Sequence, residues 1–421
     1  MIKSTIITLP NARSISKEQV FMFSAVIVNA GNYLYNLILG RLLGPEAFAD
    51  AAVLITMLLI LSFIGMTFQI VSAKYTVLLD ADHLESFLAV FSKIALFSGA
   101  ALGIVIALMS QVLQSVLHTH SEFMFLIFGA GLPLYFIASL NRGVYQGRGE
   151  LKKLAFTYQS EMISRLVFTL SVLLSFTSLN SSIVVSMGIL ISLITALFPF
   201  QKRILISGSA FRNSGLNIKP VLIFFLLTAF YELTQIVINN SDILLVKHYF
   251  PQKEAGLYAS LALIGRIVYF VAWMFVMMLL PAVIKLSKEG KNTRPVLMKY
   301  VAYIAVLSAG IVIGALLFPK LAVNILFGSQ FLAIAPLLWL YALATSIFAI
   351  ANIFSYYFLS LGQYIPVVIS AVLGLSQIVL IILFHSSLKE VVIVQVVDMA
   401  ILLIFQLAYF FYHTKKNSRR N

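Results

Sequence analysis

Long apolar runs alternate with short polar connections along the whole chain. Each run is about 20 residues long or longer, which is enough for a helix to cross a hydrocarbon core roughly 30 Å thick. Apolar residues follow one another continuously within the runs, and this favours helices over the alternating strands of a barrel. The pattern predicts twelve spans, at residues 19–41, 48–73, 88–110, 123–143, 156–178, 182–200, 220–249, 255–283, 297–318, 331–353, 364–385 and 391–412.

The two halves of the chain carry a repeat. Residues 31–51 align without a gap with residues 239–259, and five of the 21 positions are identical. In both copies an apolar run ends, a short turn with a Glu follows, and another apolar run begins. Because each half holds six spans and starts on the same side, the halves are predicted to be parallel repeats. The sequence therefore predicts an all-α polytopic membrane protein with about twelve transmembrane helices in two six-helix repeats.

The composition excludes a soluble protein. Of the 421 residues 61% are hydrophobic and only 10% are charged, whereas a soluble domain carries about a quarter charged residues. The absence of cysteine excludes disulfides and thiolate metal sites. The sequence has no GxxxxGK[ST] phosphate loop, and its short connections leave no room for a soluble catalytic domain. We therefore expect no enzymatic activity, no catalytic residues, no cofactor and no metal.

The basic residues fix the predicted orientation in the membrane. Of the 29 Lys and Arg residues, 21 fall in the segments on one side and five on the other. Cytoplasmic connections collect positive charge, so both termini are predicted to be cytoplasmic. The net charge of +14 then requires no nucleic acid partner. The predicted organisation is a cytoplasmic N-terminal segment (1–17), an N-lobe (18–200), a cytoplasmic linker (201–219), a C-lobe (220–412) and a basic cytoplasmic tail (413–421).

Ionisable residues inside the spans are candidates for function, because a charge at the bilayer centre costs about 3 kcal/mol or more. Arg266 is mid-span with no acid one turn away, which favours a cavity-facing position. Lys93 and Arg142 lie near cytoplasmic span ends, where snorkelling to water is the simpler explanation. The substrate-binding candidates are Arg266, Arg165, Lys93, Arg142, Asn32 and Asn240, and the ion-coupling candidates are Glu161, Glu232, Asp242 and Asp398.

Several of these residues have two open interpretations. Glu161 and Arg165 are four residues apart on one helix face. They could form a self-neutralising ion pair or be part of a ligand site. The repeat aligns Asn32 with Asn240. The two side chains could form hydrogen bonds between helices or contact the substrate. GxxxG pairs at 99–103 and 310–314 indicate close helix contacts, or they reflect only the high frequency of glycine in membrane helices. His118 and His120 are expected to be solvated loop residues.

Five motifs resemble one family of transporters. They are GRLLGPE (Gly40–Glu46), RGVYQGRGELKKLA (Arg142–Ala155), NNSDILLVKHYF (Asn239–Phe250), EAGLYASLALIGR (Glu254–Arg266) and NILFGSQFLAIAPLLWLYALA (Asn324–Ala344). Together they resemble the polysaccharide flippases, the Wzx-type O-antigen and capsule flippases, of the multidrug/oligosaccharidyl-lipid/polysaccharide (MOP) exporter superfamily. Relatives that flip lipid II carry an Arg-Asp pair in span one. Here the only basic residue of that span is Arg41 at its outer end, so their cavity residues are not transferred to this chain.

The resemblance implies two six-helix lobes around a central cavity, as in MATE transporters. It further implies alternating access that moves an undecaprenyl-pyrophosphate-linked oligosaccharide from the cytoplasmic to the outer leaflet of the bacterial inner membrane. The expected partners are this lipid-linked oligosaccharide, membrane lipids, a coupling ion (H⁺ or Na⁺) and the polysaccharide assembly machinery. In this hypothesis Arg165, Arg266 and Lys93 hold the pyrophosphate, and Arg142 lies at the entrance.

Two other functions remain open at this stage. A MATE-like ion-coupled multidrug antiporter would have the same fold, but its cavity should suit cations, and Arg165 and Arg266 argue against that. A membrane polysaccharide polymerase or ligase would need a sizeable outer loop to assemble a catalytic site. The short outer connections of this chain argue against it.

Overall fold

The computed structural model describes residues 17–418, except positions 177, 200–218, 364 and twelve positions between 270 and 288. The predicted N-terminal segment and linker therefore lie almost entirely outside the described residues, whereas the predicted C-terminal tail is described as far as Ser418. The helices within the described part are α1 (Lys17–Leu78), α2 (Ala81–Leu108), α3 (Ser110–Val116), α4 (Phe123–Gly147), α5 (Leu151–Ser175), α6 (Ser181–Ala196), α7 (Lys219–Tyr249), α8 (Gln252–Gly265), α9 (Arg294–Leu317), α10 (Pro319–Leu326), a 3₁₀ helix (Ser329–Leu337), α11 (Leu338–Ser360), α12 (Ile365–Leu383) and α13 (Leu388–Ser418).

These helices follow the predicted spans in order. Helix α1 contains the first two spans, and α2, α4, α5, α6, α7, α9, α11, α12 and α13 cover most of spans three to seven and nine to twelve. Helix α8 covers only the first part of span eight (255–283), and part of the remainder lies outside the described residues. Seven helices of the described part are long and apolar enough to cross a membrane. An eighth candidate is α7, which bends by 59° between Val221–Thr234 and Asn239–Tyr249. The predicted all-α membrane fold is confirmed.

The boundary between the first two spans differs from the prediction. The apolar pattern predicts a turn at residues 42–47, whereas α1 continues through this region and kinks at Gly44, which has a φ of 69°. Pro45 follows at once, and proline suits the first residue of a helix because it lacks the N–H that would have no partner there. The second span therefore starts without a loop.

The packing divides the described chain into two groups of helices. In the N-half (residues 17–199), α4 packs against α1, α2 and α6. In the C-half (residues 219–418), α11 packs against α9 and α13, and α7 packs against α12. The main contacts between the halves are those of α1 with α7 and α8. These helices carry the two copies of the repeat, so the repeated segments face each other across the centre of the molecule.

The two GxxxG pairs have different surroundings. A Cβ atom added at Gly103 would lie 2.3 Å from the carbonyl oxygen of Gly129, so α2 and α4 touch backbone to backbone. A Cβ atom at Gly310 or Gly314 would meet no atom within 4 Å. The close contact predicted for span three is confirmed, and the one predicted for span nine is wrong.

The Gly103→Val variant should melt at a lower temperature than the parent protein. The added side chain would push α2 away from α4, and overpacking of this kind costs about 1–3 kcal/mol. The matched variant is Gly314→Val on α9, which has room for the side chain and should leave the melting temperature unchanged. Thermal unfolding of both variants in detergent measures the difference. Equal melting temperatures would show that the α2–α4 contact can relax.

Candidate functional site

A cluster of charged side chains links α1, α4 and α5 inside the N-half. Arg142 on α4 is buried and donates from Nη2 to Glu161 Oε2 on α5, at 2.6 Å. Its Nε donates to Thr157 Oγ1 and its Nη2 to the carbonyl oxygen of Thr157, both at 3.1 Å. The guanidinium carbon also lies 3.9 Å from the ring centroid of Tyr158. Arg142 is thus firmly attached to α5.

Arg165 completes this N-half cluster, which consists of Asn32, Arg142, Glu161 and Arg165. Its Nη2 donates to Asn32 Oδ1 at 2.8 Å and lies 3.6 Å from Glu161 Oε1, so the ion pair predicted from the sequence spacing is present. Arg165 is 8% exposed, and its buried Nε has no hydrogen-bond partner within the described part of the chain. Two guanidinium groups share one carboxylate, which leaves one positive charge in excess.

A second cluster lies in the C-half and consists of Asn240, Asp242, Tyr258, Arg266 and Tyr341. Arg266 donates from Nη2 to Asp242 Oδ1 at 2.8 Å and from Nη1 to Asn240 Oδ1 at 3.2 Å. The hydroxyls of Tyr258 and Tyr341 donate to Asp242 Oδ2 at 3.0 and 2.7 Å. The acid that neutralises Arg266 comes from another helix, α7. The C-half cluster carries no net charge, and a narrow cleft beside it is lined in part by Thr345, Gln377 and Gln395.

The two asparagines that the repeat aligns each accept a hydrogen bond from a buried arginine. Asn32 Oδ1 accepts a hydrogen bond from Arg165, and Asn240 Oδ1 accepts one from Arg266. The two arginines do not correspond in the repeat, since one is on α5 and the other directly follows α8. Each asparagine therefore orients the buried arginine of its own half.

The remaining candidates lie outside both clusters. Lys93 is exposed on α2, which packs mainly against α4. Glu232 is half-buried on α7, before the bend in that helix. Asp398 on α13 is 1% exposed, and its Oδ1 accepts a hydrogen bond from Ser376 Oγ at 2.8 Å. Its Oδ2 has no partner among the described residues. Glu161 and Asp242 are held in ion pairs, but no ion pair to Asp398 is seen in the described chain.

A third cluster, which the sequence analysis missed, joins the two halves. Asp50 on α1 and Lys247 on α7 are each 1% exposed and form an ion pair of 2.9 Å. Gln252 Nε2 also donates to Asp50 Oδ1, at 2.9 Å. The backbone N–H and the ring Nδ1 of His120 lie 3.0 and 2.9 Å from Asp50 Oδ2. His120 is therefore not simply a solvated loop residue. The repeat gave no signal for Asp50, which aligns with Tyr258 in the second copy.

Aromatic packing and a cation reinforce this contact between the halves. The ring of Phe48 lies 5.7 Å from that of Phe327 and 6.1 Å from that of Phe331. Arg41 donates to the last carbonyl oxygens of α10, those of Asn324, Ile325 and Leu326, which compensates the negative end of that helix. We call this region the sealed end and define it by Arg41, Asp50, His120, Lys247, Gln252, Phe48, Phe327 and Phe331. Its residues lie at or beside connections that the charge pattern places outside.

Comparison with known proteins agrees with this architecture. The family model described as "Polysaccharide biosynthesis protein" matches residues 38–336. No curated protein matches the chain. An inward-facing multidrug resistance MATE family transporter of the MOP superfamily superposes with a TM-score of 0.74 at 12% identity, over 92% of this chain and 96% of that one. The lipid II flippase MurJ in an inward closed conformation superposes with a TM-score of 0.74 at 13% identity, over 94% of this chain and 87% of that one.

A further comparison is with a transporter of the same superfamily in another conformation. An outward-facing MATE family transporter gives a TM-score of 0.55 at 15% identity, over 95% of this chain and 96% of that one. All three similarities are at the level of the fold, and that fold is shared by MOP superfamily transporters. The chain thus has a multi-pass helical membrane fold of this type. Since the family model covers well over half of its length, the chain belongs to the polysaccharide biosynthesis protein family.

Proposed function

We propose that this transporter flips an undecaprenyl-pyrophosphate-linked oligosaccharide from the cytoplasmic to the outer leaflet of the bacterial inner membrane. The observation that carries this proposal is the unbalanced N-half cluster, in which Arg165 Nε has no partner among the described residues. An excess cation inside a membrane protein is costly unless an anion compensates it. Guanidinium groups bind phosphate oxygens in a bidentate manner, so a pyrophosphate would supply both the missing acceptor and the missing charge.

The electrostatics disfavour a multidrug antiporter. A cationic drug would meet the excess positive charge of the N-half cluster and a C-half cluster whose charge is already neutral. The family match also points to polysaccharide biosynthesis rather than drug export. The alternative of a polymerase or ligase has no support from the similar structures, which are transporters and a flippase.

Alternating access requires one end of the cavity to be closed while the other is open. The sealed end joins the halves near connections that are predicted to be outside, so the cavity of this conformation would open to the cytoplasm. The higher TM-score with an inward-facing MATE transporter (0.74) than with an outward-facing one (0.55) supports the same state. The substrate would then enter from the cytoplasmic leaflet.

The candidate residues take different roles in this proposal. Arg165 binds the pyrophosphate, while Arg142 holds α5 and sets the position of Glu161. Arg266 is neutralised by Asp242 and positions α8 against α7. Lys93, exposed on α2, attracts the anionic headgroup from a distance. Asp398 is the acid proposed to carry the coupling ion, since no cation is paired with it among the described residues.

A flipping assay in proteoliposomes tests the proposal. The vesicles contain the purified protein and a fluorescent undecaprenyl-pyrophosphate-linked oligosaccharide, and a membrane-impermeant quencher reports which leaflet holds it. Movement between leaflets should require the protein and should exceed that of a fluorescent phosphatidylcholine. Absence of movement, together with transport of a cationic dye, would favour the antiporter. A flipping rate that responds to neither a proton nor a sodium gradient would remove Asp398 from ion coupling.

A further inference from the structure

A chain of uncharged polar side chains continues from the N-half cluster along the same face of α5. Tyr158 lies under the guanidinium of Arg142, and its hydroxyl donates to Gln69 Oε1 on α1 at 2.8 Å. Gln69 Nε2 in turn donates to Gln146 Oε1 at the end of α4, at 3.0 Å. We call Gln69, Gln146 and Tyr158 the amide chain. It joins three helices and is continuous with the charged site.

The geometry of α5 places the amide chain on the same side as the charged site. Tyr158 and Arg165 are seven residues apart, which is close to two helical turns, so they share one face about 10 Å apart along the axis. The exposed apolar residues Phe156, Ile163 and Val167 lie on the opposite face, as expected for a surface in contact with lipid. The face of α5 that carries Tyr158 therefore turns away from lipid.

The amide chain has hydrogen-bonding capacity beyond its internal contacts. A carboxamide offers two N–H donors and an acceptor oxygen with two lone pairs. Gln146 is exposed, and the structure gives it a single hydrogen bond within the described chain, the one from Gln69. Gln146 lies just beyond the predicted end of span four (123–143), so its remaining donors and acceptor are open to the side that is predicted to be cytoplasmic. Side chains of this type suit a ligand that both donates and accepts hydrogen bonds and has no charge.

We propose that Gln69, Gln146 and Tyr158 form a subsite for the uncharged sugar that is attached directly to the pyrophosphate of the transported lipid. This proposal rests on the proposed function. With the pyrophosphate at Arg165, the neighbouring sugar extends along α5 past Arg142 and places its hydroxyl or acetamido groups against the two carboxamides. The remaining sugars then point toward the cytoplasmic end, where α4 ends. The amide chain selects lipids by the first sugar, and the charged site selects them by the pyrophosphate.

Binding of two ligands to the purified full-length protein tests this subsite. The probes are undecaprenyl pyrophosphate and the same lipid carrying a neutral disaccharide, and the quantity of interest is the ratio of their affinities. The parent protein should bind the glycosylated lipid more tightly. Gln69→Leu and Gln146→Leu should each reduce its affinity about three- to tenfold while leaving that of the bare lipid unchanged. The matched control is Gln363→Leu, which breaks a similar pair with Tyr409 in the C-half and should leave the ratio unchanged.

The outcomes separate this inference from the proposed function. If the parent protein binds both lipids equally well, the sugar subsite is wrong and the proposed function stands. If it binds neither lipid, both proposals fail. If the two glutamine variants lose affinity for both lipids to the same extent, the amide chain only holds the helices together, and the subsite is rejected. A ratio that falls in Gln69→Leu and Gln146→Leu but not in Gln363→Leu supports it.

Discussion

Replacing Arg165 with Gln should reduce the affinity for undecaprenyl pyrophosphate by roughly 100-fold. A hydrogen bond to a charged group contributes about 1.5–3 kcal/mol, and the loss of two such bonds corresponds to at least that factor. Glu161 keeps its ion pair with Arg142 at 2.6 Å in this variant, so the substitution leaves no uncompensated carboxylate. The variant should therefore accumulate in the membrane at a normal level. Calorimetric titration with the lipid and a flipping assay measure the effect.

Two further variants show whether the effect is specific. Arg165→Lys keeps the charge but loses the planar guanidinium, and we expect an affinity between those of the parent and Arg165→Gln. The double variant Asp242→Asn with Arg266→Gln removes both charges of the C-half cluster and should keep most of the affinity, because that cluster is neutral. If this double variant loses binding while Arg165→Gln retains it, the pyrophosphate site lies in the C-half and our assignment is wrong.

The contrast between these clusters explains how one fold holds both fixed and substrate-binding charges. Around Asp50 each carboxylate oxygen has two donors, and around Asp242 every charge has a partner. Networks of this kind stabilise an arrangement of helices because each of their members is satisfied. In the part of the N-half that the structure describes, Arg165 Nε has no partner, and the cluster holds one positive charge in excess. A ligand that supplies the missing acceptor and the missing negative charge therefore gains more binding free energy here than at a network whose members are all paired.

The sequence was sufficient for the architecture because the architecture depends on local properties. The sequence shows the apolar runs of membrane length and the repeat at residues 31–51 and 239–259. It also shows the GxxxG pair that makes the close contact at Gly103.

Arg165 and Arg266 could also be recognised, since a charge in the middle of a span is conspicuous. For Arg142 the expectation of snorkelling to water was wrong, because its side chain is buried against α5. The partner of Arg165 on its own helix, Glu161, was predicted from the spacing, but the partner of Arg266 was not, because Asp242 reaches it from another helix. Only tertiary packing decides which charges are neutralised.

The sealed end was harder to foresee for a related reason. Asp50 and Lys247 lie near predicted span ends, where charged residues normally reach water and attract no attention. In the folded chain the two halves cover both side chains. His120 is a loop residue whose side chain is 52% exposed, as a solvated residue should be, but it also contacts Asp50. Burial at an interface between repeats leaves no signature in either repeat alone.

Replacing Lys247 with Met should open the sealed end. In the closed state the variant would bury Asp50 with only Gln252 and His120 as partners, and an unpaired buried charge costs about 3–5 kcal/mol. In an open state Asp50 would be hydrated, so the variant shifts the equilibrium toward opening. Because the chain has no cysteine, a single Cys at buried Ala51 reports this opening through a membrane-impermeant maleimide added to cells from outside. We expect its labelling rate to rise about tenfold or more, equivalent to about 1.4 kcal/mol.

The double variant Asp50→Leu with Lys247→Met separates loss of charge pairing from loss of packing. Replacing a buried ion pair with apolar residues of similar size is often neutral or stabilising, so labelling at Ala51→Cys should return to the parent rate or fall below it. Transport should then slow, because a seal that closes more tightly raises the cost of the outward-open state. If Lys247→Met alone leaves labelling unchanged, the ion pair does not hold the halves together. The aromatic contacts of Phe48 with Phe327 and Phe331 would then be the interactions that close this end.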